Sequence, residues 1–104
     1  MNIAKMMKQA QQMQAKMQSL QAELAEQTVE ETVGGGKVTV KANGAGEVLS
    51  IKIDPSIVDA EDVEILEDLV LSGVRKAIDT GKELASNEMS KATEGMGLPP
   101  GMGL

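Results

Sequence analysis

Residues 28–53 read TVEETVGGGKVTVKANGAGEVLSIKI, and they carry the period of a β-sheet. In the segment Lys37–Asn43, Val38, Val40 and Ala42 alternate with Lys37, Thr39, Lys41 and Asn43, which gives a strand with one apolar and one polar face. Glu47–Ile53 repeats the pattern, with Leu49, Ile51 and Ile53 set inward and Ser50 and Lys52 outward. Thr28–Val33, rich in β-branched residues, is a further strand ahead of them. Gly34-Gly35-Gly36 makes one turn. Asn43-Gly44-Ala45-Gly46 makes the other, where Asn-Gly suits the positive φ of a tight hairpin. The spacing predicts a three-stranded antiparallel meander whose apolar face needs helices to cover it.

Upstream, Met1 to Gln27 holds Ile3, Met6, Ala10, Met13, Met17, Leu20 and Leu24 at steps of three and four residues, without Gly or Pro. That is a heptad stripe on a helix roughly 35–40 Å long, against strands of roughly 20 Å at most. The helix therefore overhangs the sheet, and a second copy of the chain is the simplest partner for the overhanging stripe. Met6, Met13 and Met17 fit a plastic core or dimer seam rather than a cofactor site. Lys5, Lys8 and Lys16 sit off the stripe on a face filled out by Gln9, Gln11, Gln12, Gln14, Gln18 and Gln21. Such a face supplies hydrogen-bond donors without acidic repulsion, as contact with a phosphate backbone requires; a merely soluble helix surface would look the same.

Downstream, Asp54 is placed to cap a short turn that begins at Pro55. Asp59 is expected to cap a second helix from Ala60 to about Thr93, with Asp62 in its first turn and Val63, Leu66, Leu69, Val70, Val74, Ile78, Leu84 and Met89 as its apolar face. Gly73, Ala77, Gly81 and Ala85 recur every four residues and form a smooth row for close approach of another element. If this helix runs back beside the first, Lys82 and Lys91 join Lys5 and Lys8 at one end of the molecule. Residues 1–94 thus form one α+β domain of long helix, three-stranded meander and long helix, and residues 95–104 are a Gly/Pro/Met tail.

Composition narrows the chemistry. The 104 residues contain no His, Cys, Phe, Tyr or Trp. Imidazole bases, thiol nucleophiles and the usual zinc ligands are missing, so neither catalysis nor a cofactor is expected. Gly35-Gly36-Lys37 only faintly echoes a phosphate loop, because Val38 stands where Ser or Thr is needed and a strand follows instead of a helix. The acids after Asp54 lack the alternation and central Gly of a calcium loop. No apolar run approaches a membrane span, and no signal-peptide core is present, so a cytoplasmic setting is the expectation.

The net charge of −6 is unevenly spread. Residues 1–22 hold Lys5, Lys8 and Lys16 and no acid, whereas residues 54–68 hold Asp54, Asp59, Glu61, Asp62, Glu64, Glu67 and Asp68 and no base. Without aromatic rings to stack on bases, nucleic-acid contact points to duplex phosphates rather than to single strands. The acidic segment leaves a second reading open, that of a protein–protein adaptor for a replication or recombination-repair partner.

Several segments together carry a family likeness: Met7-Lys8-Gln9-Ala10-Gln11-Gln12-Met13-Gln14 with Lys16-Met17, the Gly34–Gly36 turn before Val38 and Val40, Asn43-Gly44, Ile53-Asp54-Pro55, Glu67-Asp68-Leu69-Val70, and Gly95-Met96-Gly97-Leu98-Pro99-Pro100. Across essentially the whole chain this closely resembles the YbaB/EbfC family of bacterial nucleoid-associated proteins. The resemblance implies an α–β–β–β–α homodimer with sheets at its centre and helices projecting like tweezers. It also implies binding of double-stranded DNA with little sequence specificity, residence in the cytoplasm at the nucleoid, and a setting in chromosome organisation, repair or gene regulation. The matching basic positions on the projecting helices are Lys5, Lys8, Lys16, Lys82 and Lys91. The hairpin Gly44-Ala45-Gly46-Glu47 departs from the family by lacking a basic residue, so this turn is not expected to touch DNA.

Overall fold

The computed structural model describes residues 2–95. The Asn2 side chain accepts the Lys5 N–H at 3.1 Å and caps α1, Ile3–Glu26. The chain then passes directly into β1, Thr28–Val33, followed by β2, Val38–Asn43, and β3, Val48–Ile53. A 3-10 turn, Pro55–Ile57, leads to α2, Val63–Gly95. The strands pair antiparallel in the order β1-β2-β3, as the alternation predicts. The expected tail from Gly95 to Leu104 lies, apart from Gly95 itself, outside the described residues.

Val38, Val40 and Ala42 are fully buried beneath α2 and meet Ala77 there, with Val29, Val33, Ile57, Leu69, Val70 and Val74 packed around them. The row of small residues on α2 is what allows this contact. A Cβ at Gly73 would stand 2.9 Å from the Val40 side chain, and one at Gly81 would stand 2.5 Å from the Asn43 carbonyl oxygen. α2 is also latched to β1: the Thr80 hydroxyl lies 2.9 Å from Glu31 Oε1, and Lys76 Nζ lies 3.7 Å from Glu31 Oε2.

Four local expectations need correction. Asn43, counted with the outward residues of β2, is only 2 % exposed. Its Oδ1 accepts the Ala45 and Glu47 N–H groups, and its Nδ2 donates to the Ala25 carbonyl and to Glu47 Oε1. Gly44, not a left-handed residue here, leaves room for Leu24, whose carbonyl accepts the Gly44 N–H at 3.0 Å; the positive φ of the hairpin falls at Gly46. Leu49, Ile51 and Ile53, expected inward, remain 48, 43 and 36 % exposed. α2 lies over β1 and β2 and leaves β3 largely uncovered, and a register shift between Lys41 and Ala42 makes Leu49 an extra residue opposite β2. Asp59 does not cap the helix. It accepts the Glu61 N–H within a turn that precedes α2, and Asp62 is the residue directly before Val63.

Asp54 does cap the turn at Pro55, accepting the Ser56 N–H at 2.8 Å, with Lys37 Nζ at 3.4 Å from its other oxygen. The Ser56 N–H is the chief reason its carboxyl is held below the usual range, and the Ser56 hydroxyl and Lys37 add to it. A lowered carboxyl favours the folded chain above the unfolded pKa, and that contribution fades as pH falls through the folded value. Asp54→Asn should therefore lower the melting temperature at pH 7, and the gap from the parent chain should close below about pH 4. A gap independent of pH in far-UV melts would refute this origin. Gly81→Ala, although Ala is the better helix former by about 1 kcal/mol, should destabilise by overpacking of about 1–3 kcal/mol. Against an exposed Ser72→Ala control, an unchanged or raised melting temperature for Gly81→Ala would show that α2 does not need its close approach to Asn43.

Candidate nucleic-acid interface

On a helix of 3.6 residues per turn, positions 5, 8, 12 and 16 follow one another along a single flank. In α1 they are Lys5, Lys8, Gln12 and Lys16, all exposed, and the first acid met along the helix is Glu23. The flank extends roughly 16 Å along the axis. It is basic and donor-rich because no residue of that part of α1 is needed as a partner for the sheet.

α2 passes beside only the last part of α1. Lys16, Ser19, Leu20 and Glu23 line a shallow groove with Glu88 and Ala92. On the other side of the helix pair, Gln21 and Leu24 line a second groove with Gly44, Ala45, Ala85 and Met89. The two helices therefore run antiparallel, with Lys16 level with Ala92, and α1 continues a further 13 residues to Ile3. The stripe expected to form a seam is filled accordingly: Leu20 and Leu24 are buried, Met13 and Met17 half-buried, and Ile3, Met6 and Ala10 exposed.

The five lysines singled out in the sequence form a ladder along the molecule rather than one cluster at its end. Lys91 Nζ lies 3.6 Å from Glu88 Oε1, and Glu88 lines the groove that Lys16 also lines. Lys5 and Lys8 stand beyond them, towards the start of α1. Lys82 precedes Lys91 by nine residues, about two and a half turns of helix, and so projects from the opposite flank of α2. It follows Asp79 by three residues and adjoins Glu83.

Sequence reasoning did not single out the open face of the sheet. In the strand register Glu30, Lys41 and Ser50 stand side by side, as do Thr32, Thr39 and Lys52, on the face turned away from α2. The alternation marks Lys41 and Lys52 as outward, but nothing in it marks them as phosphate contacts. Glu30 beside Lys41, and Asp54 beside Lys37, offset much of the positive charge there. The flank of α1 carries no acid of its own before Glu23, and only at its Lys16 end does it share a groove with acids, Glu23 and Glu88. Among the described residues no group of three or more His, Cys, Asp or Glu side chains could hold a metal ion, and no helix is long and apolar enough to cross a membrane.

Comparison with known proteins bears on the family and the fold. The family model described as the YbaB/EbfC DNA-binding family matches residues 1–96. A nucleoid-associated protein of Clostridium novyi is 52% identical over 99 residues, covering 95% of this chain and 87% of the relative. Another nucleoid-associated protein, of Akkermansia muciniphila, is 52% identical over 103 residues and covers 99% of both chains. Among solved structures, an uncharacterized protein of Helicobacter pylori superposes with a TM-score of 0.63 at 26% identity, covering 75% of this chain and 90% of that one.

Proposed function

The chain belongs to the YbaB/EbfC DNA-binding family, and from that premise we propose that it binds double-stranded DNA as a homodimer, with little sequence specificity, at the nucleoid in the cytoplasm. The observation that carries this reading is the acid-free flank of Lys5, Lys8 and Lys16 on a helix that extends past its partner helix. Lysines on a straight helix contact phosphates, which position a protein on a duplex without reading its bases. Lys91 joins them by exchanging Glu88 for a phosphate, a small cost for an exposed ion pair. Lys82, on the other flank of α2 and close to two acids, contributes least. Chromosome organisation, repair and gene regulation are all settings in which such sequence-tolerant binding serves.

The homodimer reading rests on the face that the single chain leaves bare. Ile53 of the edge strand adjoins Leu66, Glu67, Val70, Leu71 and Val74 of α2 in an almost wholly apolar surface, and Leu49 and Ile51 of the same strand are exposed. A monomer rarely leaves such a patch to water, and an uncovered edge strand invites pairing. A second copy applied here covers both and leaves α1 of each protomer projecting.

Lys5→Ala, Lys8→Ala and Lys16→Ala combined should weaken duplex binding at least about tenfold at low salt and reduce the salt slope by about 0.9 for each phosphate no longer neutralised. Unchanged fluorescence anisotropy would move the site elsewhere. Glu88→Gln should tighten binding. In DNA-free sedimentation at about 500 mM salt, where exposed charges are screened, the parent chain should run near twice its 10.9 kDa mass. Leu71→Asp, a change at a half-exposed position, should run as a folded monomer; a dimer that survives it would place the interface away from β3.

A further inference from the structure

The order of packing along α2 shows how the molecule is polarised. Leu69 lies against the Gly34 turn, Gly73 against Val40, Gly81 against Asn43, and Ala92 beside Lys16. The start of α2 and the first half of α1 are therefore at opposite poles of a body measuring 70 × 20 × 17 Å. Each pole exposes apolar side chains that no other described residue covers. At one pole Ile3, Met6 and Met7 are 70, 54 and 59 % exposed, with Lys5 and Lys8 among them. At the other, Val58, Val63 and Ile65 are 58, 46 and 56 % exposed, with exposed Asp59, Glu61, Asp62, Glu64 and Asp68 along the same stretch.

We propose that the basic, apolar start of α1 in one copy docks on the acidic, apolar start of α2 in a second copy. Opposite charge and apolar surface on both sides identify the occupant, and the length of the molecule prevents the two poles from meeting within one chain. The interface is head-to-tail, so one contact leaves a further pole free on each copy and assembly proceeds past the pair, into chains or rings of copies. It goes beyond the DNA reading but shares Lys5 and Lys8 with it: the acidic pole occupies the same cations as a phosphate backbone, and duplex DNA displaces it. Exposed charge pairs of this kind are strongly screened by salt.

The test is sedimentation velocity of the full chain without DNA, which keeps its outcome separate from that of the duplex reading. At about 50 mM salt the weight-average sedimentation coefficient should rise with concentration past the dimer, and at about 500 mM, where screening is short-ranged, it should not. A variant with Glu61→Lys, Asp62→Lys and Glu64→Lys should lose the rise, as should one with Lys5→Glu and Lys8→Glu. Mixing the two should restore it, because each then offers the pole that the other lacks. Val63→Ser with Ile65→Ser, which keeps every charge, should weaken the rise and so distinguish a docked interface from non-specific attraction. Far-UV spectra matching the parent would confirm that the variants are folded. Parent behaviour independent of salt, reversed variants that associate as well as the parent, or a mixture that fails to recover would each overturn the proposal.

Discussion

Asn43 is the junction on which the rest of the molecule depends. Its carboxamide uses both donors and two acceptor positions, tying the end of α1 through Ala25, the hairpin through Ala45, and the entry to β3 through Glu47. Gly44 adds a backbone bond to Leu24, and Gly81 lets α2 pass against the Asn43 carbonyl oxygen. Two helices and a hairpin thus meet at one buried residue. A buried polar group costs free energy unless it is hydrogen-bonded, and a fully satisfied one fixes a geometry that apolar packing alone would leave loose. Because α1 touches the rest of the chain mainly through Leu20 and Leu24, this junction sets the direction in which its lysines project.

The same economy leaves the single chain incomplete. Without aromatic side chains, its core is a few aliphatic residues pressed between α2 and two of the three strands. β3 and the start of α1 remain bare. Bare apolar surface at the edge of the sheet and separated charge at the two poles both call for association, but of different kinds. Apolar burial is nearly indifferent to salt, whereas attraction to phosphates or to exposed carboxylates weakens steeply as salt rises. Ionic strength can therefore separate what holds two protomers together from what holds them to a polyanion.

Much of the architecture could be read from local pattern. Period-two alternation over Val38, Val40 and Ala42 located the covered face of the sheet, the heptad steps located Leu20 and Leu24, and the four-residue row from Gly73 marked the close approach of α2. Asp54 before Pro55 announced its own turn. The unread features depend on tertiary placement. Alternation puts Asn43 outward, and only the arrival of α1 and Glu47 makes burial favourable. Which strand a helix leaves uncovered is not encoded in the period of that strand, so Ile51 and Ile53 look like core until α2 is placed. Asp59 looks like a helix cap, but the turn that it forms with Glu61 ends before α2 begins at Val63. The opposed flanks of Lys82 and Lys91 follow from their spacing alone, once α2 is known to run unbroken.

The most direct test of the central claim, that a basic flank on a projecting helix binds duplex phosphates, is a salt titration of the parent chain against labelled duplexes of unrelated sequence. Binding should weaken linearly in log–log form, by about 0.9 per neutralised phosphate for each tenfold rise in salt, with the same slope for every duplex. No binding at the lowest salt, or binding that ignores salt, would contradict it.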